Sequence, residues 1–391
     1  MSRHARERVI AWLALIVVLA LPYGRPVAQS GASPSGPVHI GLPAHEAIDL
    51  DRQVAPGSMP IAEPHRFHGL ARYLNGLRYF RVAPDGIRQL QEGESVTLAA
   101  GEWFAAVGRF HVLALQDEGI RIRVGARRIQ LAAPSDAAEL SAVVASKPQL
   151  HLLDPALDKL RYAHLWGPLA ALSKLVESMI VFIERTVGAG WAVALILFAV
   201  IVKLALLPVS LATARFQREA SAHRAALAPV IESIKREYSG EEAHNRIMAA
   251  HKARGITPFY TLKPMLGLFV LVPVLVAVFN ALAEMPQFAG ASLLWVKDLA
   301  YPDDVARVHF TLPWLGDTFN LLPWLMATVS AVTGLRFRDP NASAADVRRK
   351  RRGLLLMSGA FLVLFYPFPA AMVLYWLLNN LLQLLQQETL P

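Results

Sequence analysis

Lys203 is the one charge in an apolar run that extends over residues 190–212. A bilayer crossing takes about 20 predominantly apolar residues, so the run fits one membrane span. A charged side chain at mid-span costs roughly 2.5–3.5 kcal/mol on the insertion scale, and it normally faces water or a partner within the bundle. The lysine sits nearer the C-terminal end of the run, where its stem can snorkel toward the interface. The plain alternative is a lysine that only snorkels, or that pairs with a helix-end carbonyl.

The composition of the whole chain points to further membrane spans. Hydrophobic residues make up 54% of the chain and charged residues 18%, a balance that excludes an ordinary soluble protein. The net charge of +9 is concentrated in three polar segments. These are the tip with Arg3, Arg6 and Arg8, residues 213–263, and residues 336–352 with the run Arg348, Arg349, Lys350, Arg351, Arg352. Residues 285–318 are net acidic. This alternation is positive-inside patterning and not the footprint of a nucleic-acid binder. With no cysteine, structural disulfides and thiolate metal sites are excluded.

Residues 1–27 hold a short apolar core behind three arginines and are expected to be a signal anchor or a signal peptide, with cleavage left open. Residues 28–58, rich in Gly, Pro, Ser and Ala, read as a flexible linker. From 65 to 151 short β-like runs follow, at residues 78–82, 95–98, 103–115 and 119–131. Ile120, Ile122 and Val124 alternate with Arg121 and Arg123 as in a half-buried strand. Residues 28–160 are therefore expected to form a linker and a small β-rich domain on the outer, periplasmic side. Residues 168–187 fit an amphipathic interfacial helix. Spans are expected near 190–212, 264–283, 319–335, 353–367 and 371–387. Residues 213–263 read as a helical hairpin on the basic side, with its turn at Tyr238-Ser239-Gly240 and a kink at Pro229. The fold class is a polytopic α-helical membrane protein of five core helices plus the N-terminal anchor, with a small β-rich outer domain.

Several stretches resemble the YidC-type membrane protein insertases, relatives of the mitochondrial Oxa and chloroplast Alb proteins. Lys203 stands five positions before Pro208, where the family has a basic residue in a span. Leu227-Ala228-Pro229-Val230-Ile231 resembles the first cytoplasmic helix, and Thr257, Pro258 and Pro264 the entry to the next span. Leu294-Trp295-Val296-Lys297-Asp298-Leu299 resembles the outer loop, and Leu322-Pro323 the following span. Phe368-Pro369 and the run from Leu374-Tyr375 to Asn380 resemble the last span. The usual groove arginine is Lys203 here, which keeps the charge but loses the planar fork. The usual Ser-Gly after Phe-Pro is Ala370-Ala371.

The resemblance implies a water-filled groove, open to the cytoplasm and sideways to lipid, that lowers the cost of moving a polar tail part-way across the bilayer. Burial of the client's apolar segment drives the step. No enzyme chemistry and no cofactor are implied. The candidate groove residues are Lys203, Asn280, Thr328, Ser330, Thr333, Ser358, Asn379, Asn380 and Gln383. Each of the polar ones also fits interhelical hydrogen bonding, worth about 0.6 kcal/mol. The implied partners are nascent membrane protein clients and membrane lipids, with a Sec translocon and the ribosome as further candidates and no nucleic acid. The location implied is the bacterial inner membrane. Two other readings stay open: a secondary transporter with Lys203 as its binding charge, and a membrane-anchored periplasmic chaperone. Since the resemblance begins near Leu160, the outer domain is expected to be dispensable for the core reaction.

Overall fold

The computed structural model describes residues 36–54, 58–65, 67–133, 139–253, 265–312, 314–336 and 343–389. The expected N-terminal anchor, Thr257, Pro258 and Pro264 lie outside them.

The described residues from Val38 to Ser146 form a β domain. Six strands form one antiparallel sheet in the order β1-β10-β7-β6-β3-β4. They are β1 (Val38–Pro43), β3 (Arg78–Ala83), β4 (Gly86–Leu90), β6 (Trp103–Val107), β7 (His111–Leu115) and β10 (Glu139–Ser146). A second sheet runs β2-β9-β8-β5, from Ala47–Asp49, Arg128–Ala132, Arg121–Val124 and Ser95–Thr97. Leu42, Phe104, Leu113, Leu115 and Leu140 of the first sheet share one core with Ile48, Ile122, Ile129 and Leu131 of the second. Leu150, Leu157 and Leu160 cover the opposite face of the first sheet. β7 is thus buried at every position, which is why its sequence lacks the alternation seen in β8.

Two expected runs are each a pair of strands. Residues 103–115 fold back at Gly108, where a Cβ would stand 1.7 Å from the carbonyl oxygen of Ile61, so only glycine fits. Residues 119–131 divide likewise into β8 and β9. The stretch read as linker contains β1 and β2, and β1 pairs with β10 along its full length. Its Gly and Pro content conceals this, because pairing with a distant strand outweighs weak local propensity.

Among the described residues eight longer α-helices follow the β domain. They are α1 (Gly167–Val187), α2 (Trp191–Ala205), α3 (Leu207–Glu237), α4 (Gly240–Ala253), α5 (Leu266–Glu284), α6 (Leu321–Leu335), α7 (Ala344–Phe365) and α8 (Ala370–Thr389). Gly188 closes α1 in the left-handed conformation with φ 65°, and Gly190 precedes α2 with φ 94°. The axes of α1 and α2 consequently differ by 119°. The apolar run that holds Lys203 is broken at Leu206, with Pro208 in the first turn of α3, a position where its missing N–H costs nothing. α3 and α4 form the expected hairpin around Tyr238-Ser239, and α3 runs through Pro229. Between α5 and α6 lies a hairpin of β11 (Ala306–Leu312) and β12 (Gly316–Phe319), which the hydropathy pattern does not reveal.

Among the described residues one helix, over Gly267–Glu284, is long and apolar enough alone to cross a bilayer. The bent pair α1 and α2 passes the same test jointly, and α6 is a shorter apolar helix. α7 begins with the basic run Arg348–Arg352, which leaves its apolar part short. The helical core gathers Val176, Ile180, Leu195, Phe198, Val278, Leu282, Met326, Phe365, Met372 and Tyr375. Phe67, Ala71, Leu74 and Phe110 of the β domain belong to this same cluster.

Candidate functional site

A cavity of about 300 Å³ opens between α2, α3, α5 and α8, with Lys203 in its wall. Val202 and Leu206, then Leu268, Leu271, Val272, Val274 and Leu275, supply the apolar lining. Ser210, Tyr375, Asn379, Asn380 and Gln383 supply the polar atoms. The spacing explains the convergence. Asn379 and Gln383 lie four apart, and Gln386 follows three later, so they stack on one face of α8. Ser210 lies in the first turns of α3, just past the break at Leu206, and faces the cavity with Lys203.

The Lys203 ammonium donates to Oε1 of Gln383 at 2.7 Å. No carboxylate pairs with it among the described residues, and its hydrogen-bond acceptor there is a neutral amide. Gln386 Nε2 donates to Ser210 Oγ at 2.6 Å, which ties α8 to α3 below the lysine. Asn380 Nδ2 donates to Ser330 Oγ at 2.7 Å and so reaches α6. The indole nitrogen of Trp376 is buried with no protein partner.

Of the candidates read from sequence, Lys203, Asn379, Asn380 and Gln383 come together in this cavity, and Ser330 adjoins it through Asn380. The other four stand elsewhere. Asn280 donates to the Val276 carbonyl at 2.8 Å, and its Oδ1 lies 3.0 Å from Nε2 of His164 on the far side of α5. Thr328, Thr333 and Ser358 donate to the carbonyls of Trp324, Val329 and Leu354 in their own helices, the back-bonding that satisfies a hydroxyl without a second helix. Ser210 and Gln386 were missed. A signal was available for Gln386, which falls at helical spacing from Gln383, whereas Ser210 lies beyond the break at Leu206.

The loop between α5 and α6 holds the N-terminal ends of α6 and α8. Asp303 Oδ2 accepts the N–H groups of Leu321 and Leu322 at 2.8 Å each, and the Trp295 indole at 3.1 Å. A carboxylate there favours the N-terminus of α6. Burial pushes the Asp303 carboxyl up, and these hydrogen bonds oppose that rise. Asp298 accepts from Gly290 and Ala300. The first N–H groups of α8, on Ala370 and Ala371, donate to the carbonyls of Tyr301 and Leu299 at 2.8 and 2.9 Å. The Leu294–Leu299 motif is therefore a capping device. Ala370-Ala371 is fully buried against that loop.

Among the described residues no group of His, Asp and Glu is arranged to hold a metal ion.

Comparison with known proteins places the chain in a family. The family model described as 60Kd inner membrane protein matches residues 182–390. A protein of Herminiimonas arsenicoxydans named membrane protein insertase YidC is 29% identical over 262 residues, covering 65% of this chain and 43% of the relative. Proteins of the same name from Chlamydia muridarum and Clostridium perfringens are each 27% identical, covering 58% and 55% of this chain and 28% and 83% of those relatives. The chain thus spans under half the length of the first curated relatives it matches. With more than half of its residues matched by that model, the chain belongs to the 60Kd inner membrane protein family.

Proposed function

We propose that the chain is a membrane protein insertase whose working site is the cavity around Lys203. As a member of an inner membrane family it resides in the bacterial inner membrane, and the relatives that it matches are named insertases. The observation that carries the reading is a membrane-depth ammonium with an amide but no carboxylate for a partner, in a cavity with both apolar and polar walls. Such a charge attracts the acidic part of a short translocating tail. The apolar wall of α5 offers the tail's hydrophobic segment a path toward lipid, where burial of its area supplies the driving force.

Five core spans and an N-terminal anchor complete the proposed topology, with the β domain on the periplasmic side and the α3–α4 hairpin in the cytoplasm. The groove residues in this reading are Lys203, Asn379, Asn380, Gln383 and Ser210. Clients are nascent membrane proteins. Sec translocon and ribosome are candidate partners, and the basic start of α7 is suited to anionic headgroups. The test is depletion of a resident insertase with rescue by this chain. Rescue by wild type, loss with Lys203→Glu and retention with Lys203→Arg are the expected results. Failure of the wild-type protein to rescue or to insert any client in vesicles overturns the reading.

A further inference from the structure

Glu284, the last residue of α5, is buried where the β domain meets the helices. Its Oε1 accepts from Arg78 Nη2 at 2.7 Å, and its Oε2 from Lys147 Nζ at 2.7 Å. His164 Nε2 stands 3.8 Å from Oε1. An acidic residue at a helix C-terminus opposes the macrodipole, so these cations are what make its burial tolerable. Burial pushes the Lys147 ammonium down, and Glu284 beside it pulls it back up.

One residue earlier, the Ala283 carbonyl accepts from Arg109 Nε at 2.7 Å. Arg109 is the tip of the β6–β7 hairpin and is 3% exposed. Its Nη2 donates to the Ala300 carbonyl at 2.8 Å and its Nη1 to Glu63 Oε2 at 3.1 Å. The guanidinium also lies over the rings of Phe67, Phe110 and Tyr301. Each of its three nitrogens thus donates one hydrogen bond within this joint.

Burial along α5 is graded. Residues Ala281, Leu282 and Ala283 are wholly buried, whereas Leu268, Phe269, Val270 and Val272 are exposed. The exposed half is the half that lines the Lys203 cavity. α5 is therefore held on many sides at its outer end, whereas at its inner end Gly267 against Thr213 of α3 is the buried contact beside exposed apolar residues. We propose that the β domain positions the groove wall: Glu284 and Arg109 clamp the outer end of α5, and the clamp sets the distance between the inner half of α5 and the α2 and α8 walls. This deepens the insertase reading and rests on it for its functional consequence. It departs from the expectation that the outer domain is dispensable.

The absence of cysteine lets paired spin labels be placed on the full-length chain without background. With labels at Phe269 and Leu204, both exposed, the wild-type protein in lipid nanodiscs should give one narrow distance distribution. Glu284→Ala and Arg109→Ala should shift or broaden it by about 5 Å, on the order of one helical turn. Glu284→Gln keeps the shape and serves if the alanine variants fail to fold; it should broaden the distribution less. Lys147→Met combined with Glu284→Gln should restore it relative to Lys147→Met alone, because Lys147→Met leaves the buried carboxylate with Arg78 as its one close cation and Glu284→Gln removes the charge that needs the second. Distributions identical to wild type in Glu284→Gln and in the folded alanine variants overturn the clamp. The distances decide this proposal without any insertion assay, and client insertion measured alongside decides the insertase reading separately.

Discussion

Lys203 and Gln383, 180 residues apart, meet at 2.7 Å, with the ammonium donating to the amide oxygen. An amide orients the charge without neutralising it. That leaves the lysine's field directed into the cavity, and it makes the sign of the residue at position 383 a second control on the same charge.

Substituting Lys203 separates charge from shape. Lys203→Arg should keep insertion of clients with acidic tails. Lys203→Glu should reduce it on the order of ten-fold or more, since like charges about 4 Å apart repel by about 4 kcal/mol at an effective dielectric of about 20. Insertion into vesicles at matched protein levels measures this. Equal insertion by wild type and Lys203→Glu would remove the charge from the mechanism.

Gln383→Glu is nearly isosteric and supplies the missing counter-charge. The resulting pair should occupy Lys203 and slow acidic-tailed clients, while clients with neutral tails are changed by less than about two-fold. Gln383→Ala should have the smaller effect on both. A Gln383→Glu protein that inserts both client classes at wild-type rates contradicts the pairing.

Arg109→Ala should be among the most destabilising substitutions in the chain. It leaves Glu63 buried without its cation and two carbonyls without their donor, and removing one partner of a buried pair costs about 3–5 kcal/mol. Thermal unfolding of the purified protein, followed by near-ultraviolet circular dichroism, should show a clear fall in Tm. A surface control such as Arg52→Ala should show almost none, because its pair with Asp49 is exposed.

His111 gives the β domain an acid limit. Burial, with the Lys147 ammonium nearby, pushes its imidazole down to about 4, and its Nε2 has no partner. The folded state thus favours the neutral ring. Below an ordinary histidine value near 6.5 the unfolded chain binds a proton that the fold refuses. Stability is then fully present above about pH 6.5 and falls as pH drops toward 4, by about 3 kcal/mol in all. Unfolding midpoints measured across this range should fall for wild type and stay flatter for His111→Phe.

The α3–α4 hairpin should exchange amide hydrogens faster over residues 238–251 than α5 residues 277–284 or α8. Ala243 and His251 are the buried residues of α4, and the contacts of Arg246 with Glu242 and Tyr238 are exposed and local. Few buried contacts mean low local stability. Exchange as slow as in α8 would make the hairpin a fixed element.

Local pattern determined much of this protein from sequence alone. Hydropathy and charge marked the helical half, the lysine, the hairpin turn at Tyr238-Ser239 and the break at Phe368-Pro369, because each of these depends on residues within one or two turns. Alternation marked β8, whose two faces see different solvents. What the sequence did not disclose are the pairings across long separations. Gln383 on Lys203, Glu284 on Lys147 and Arg109 on the Ala283 and Ala300 carbonyls join segments 137 to 191 residues apart. β1 and β2 lay hidden for the same reason, since their partners β10 and β9 come much later in the chain. A polar residue in an apolar helix shows that a partner is needed. Only the packed fold decides whether that partner is a helix carbonyl, as for Thr328 and Ser358, or another helix across the cavity, as for Gln383, because the choice depends on which faces the tertiary structure brings together.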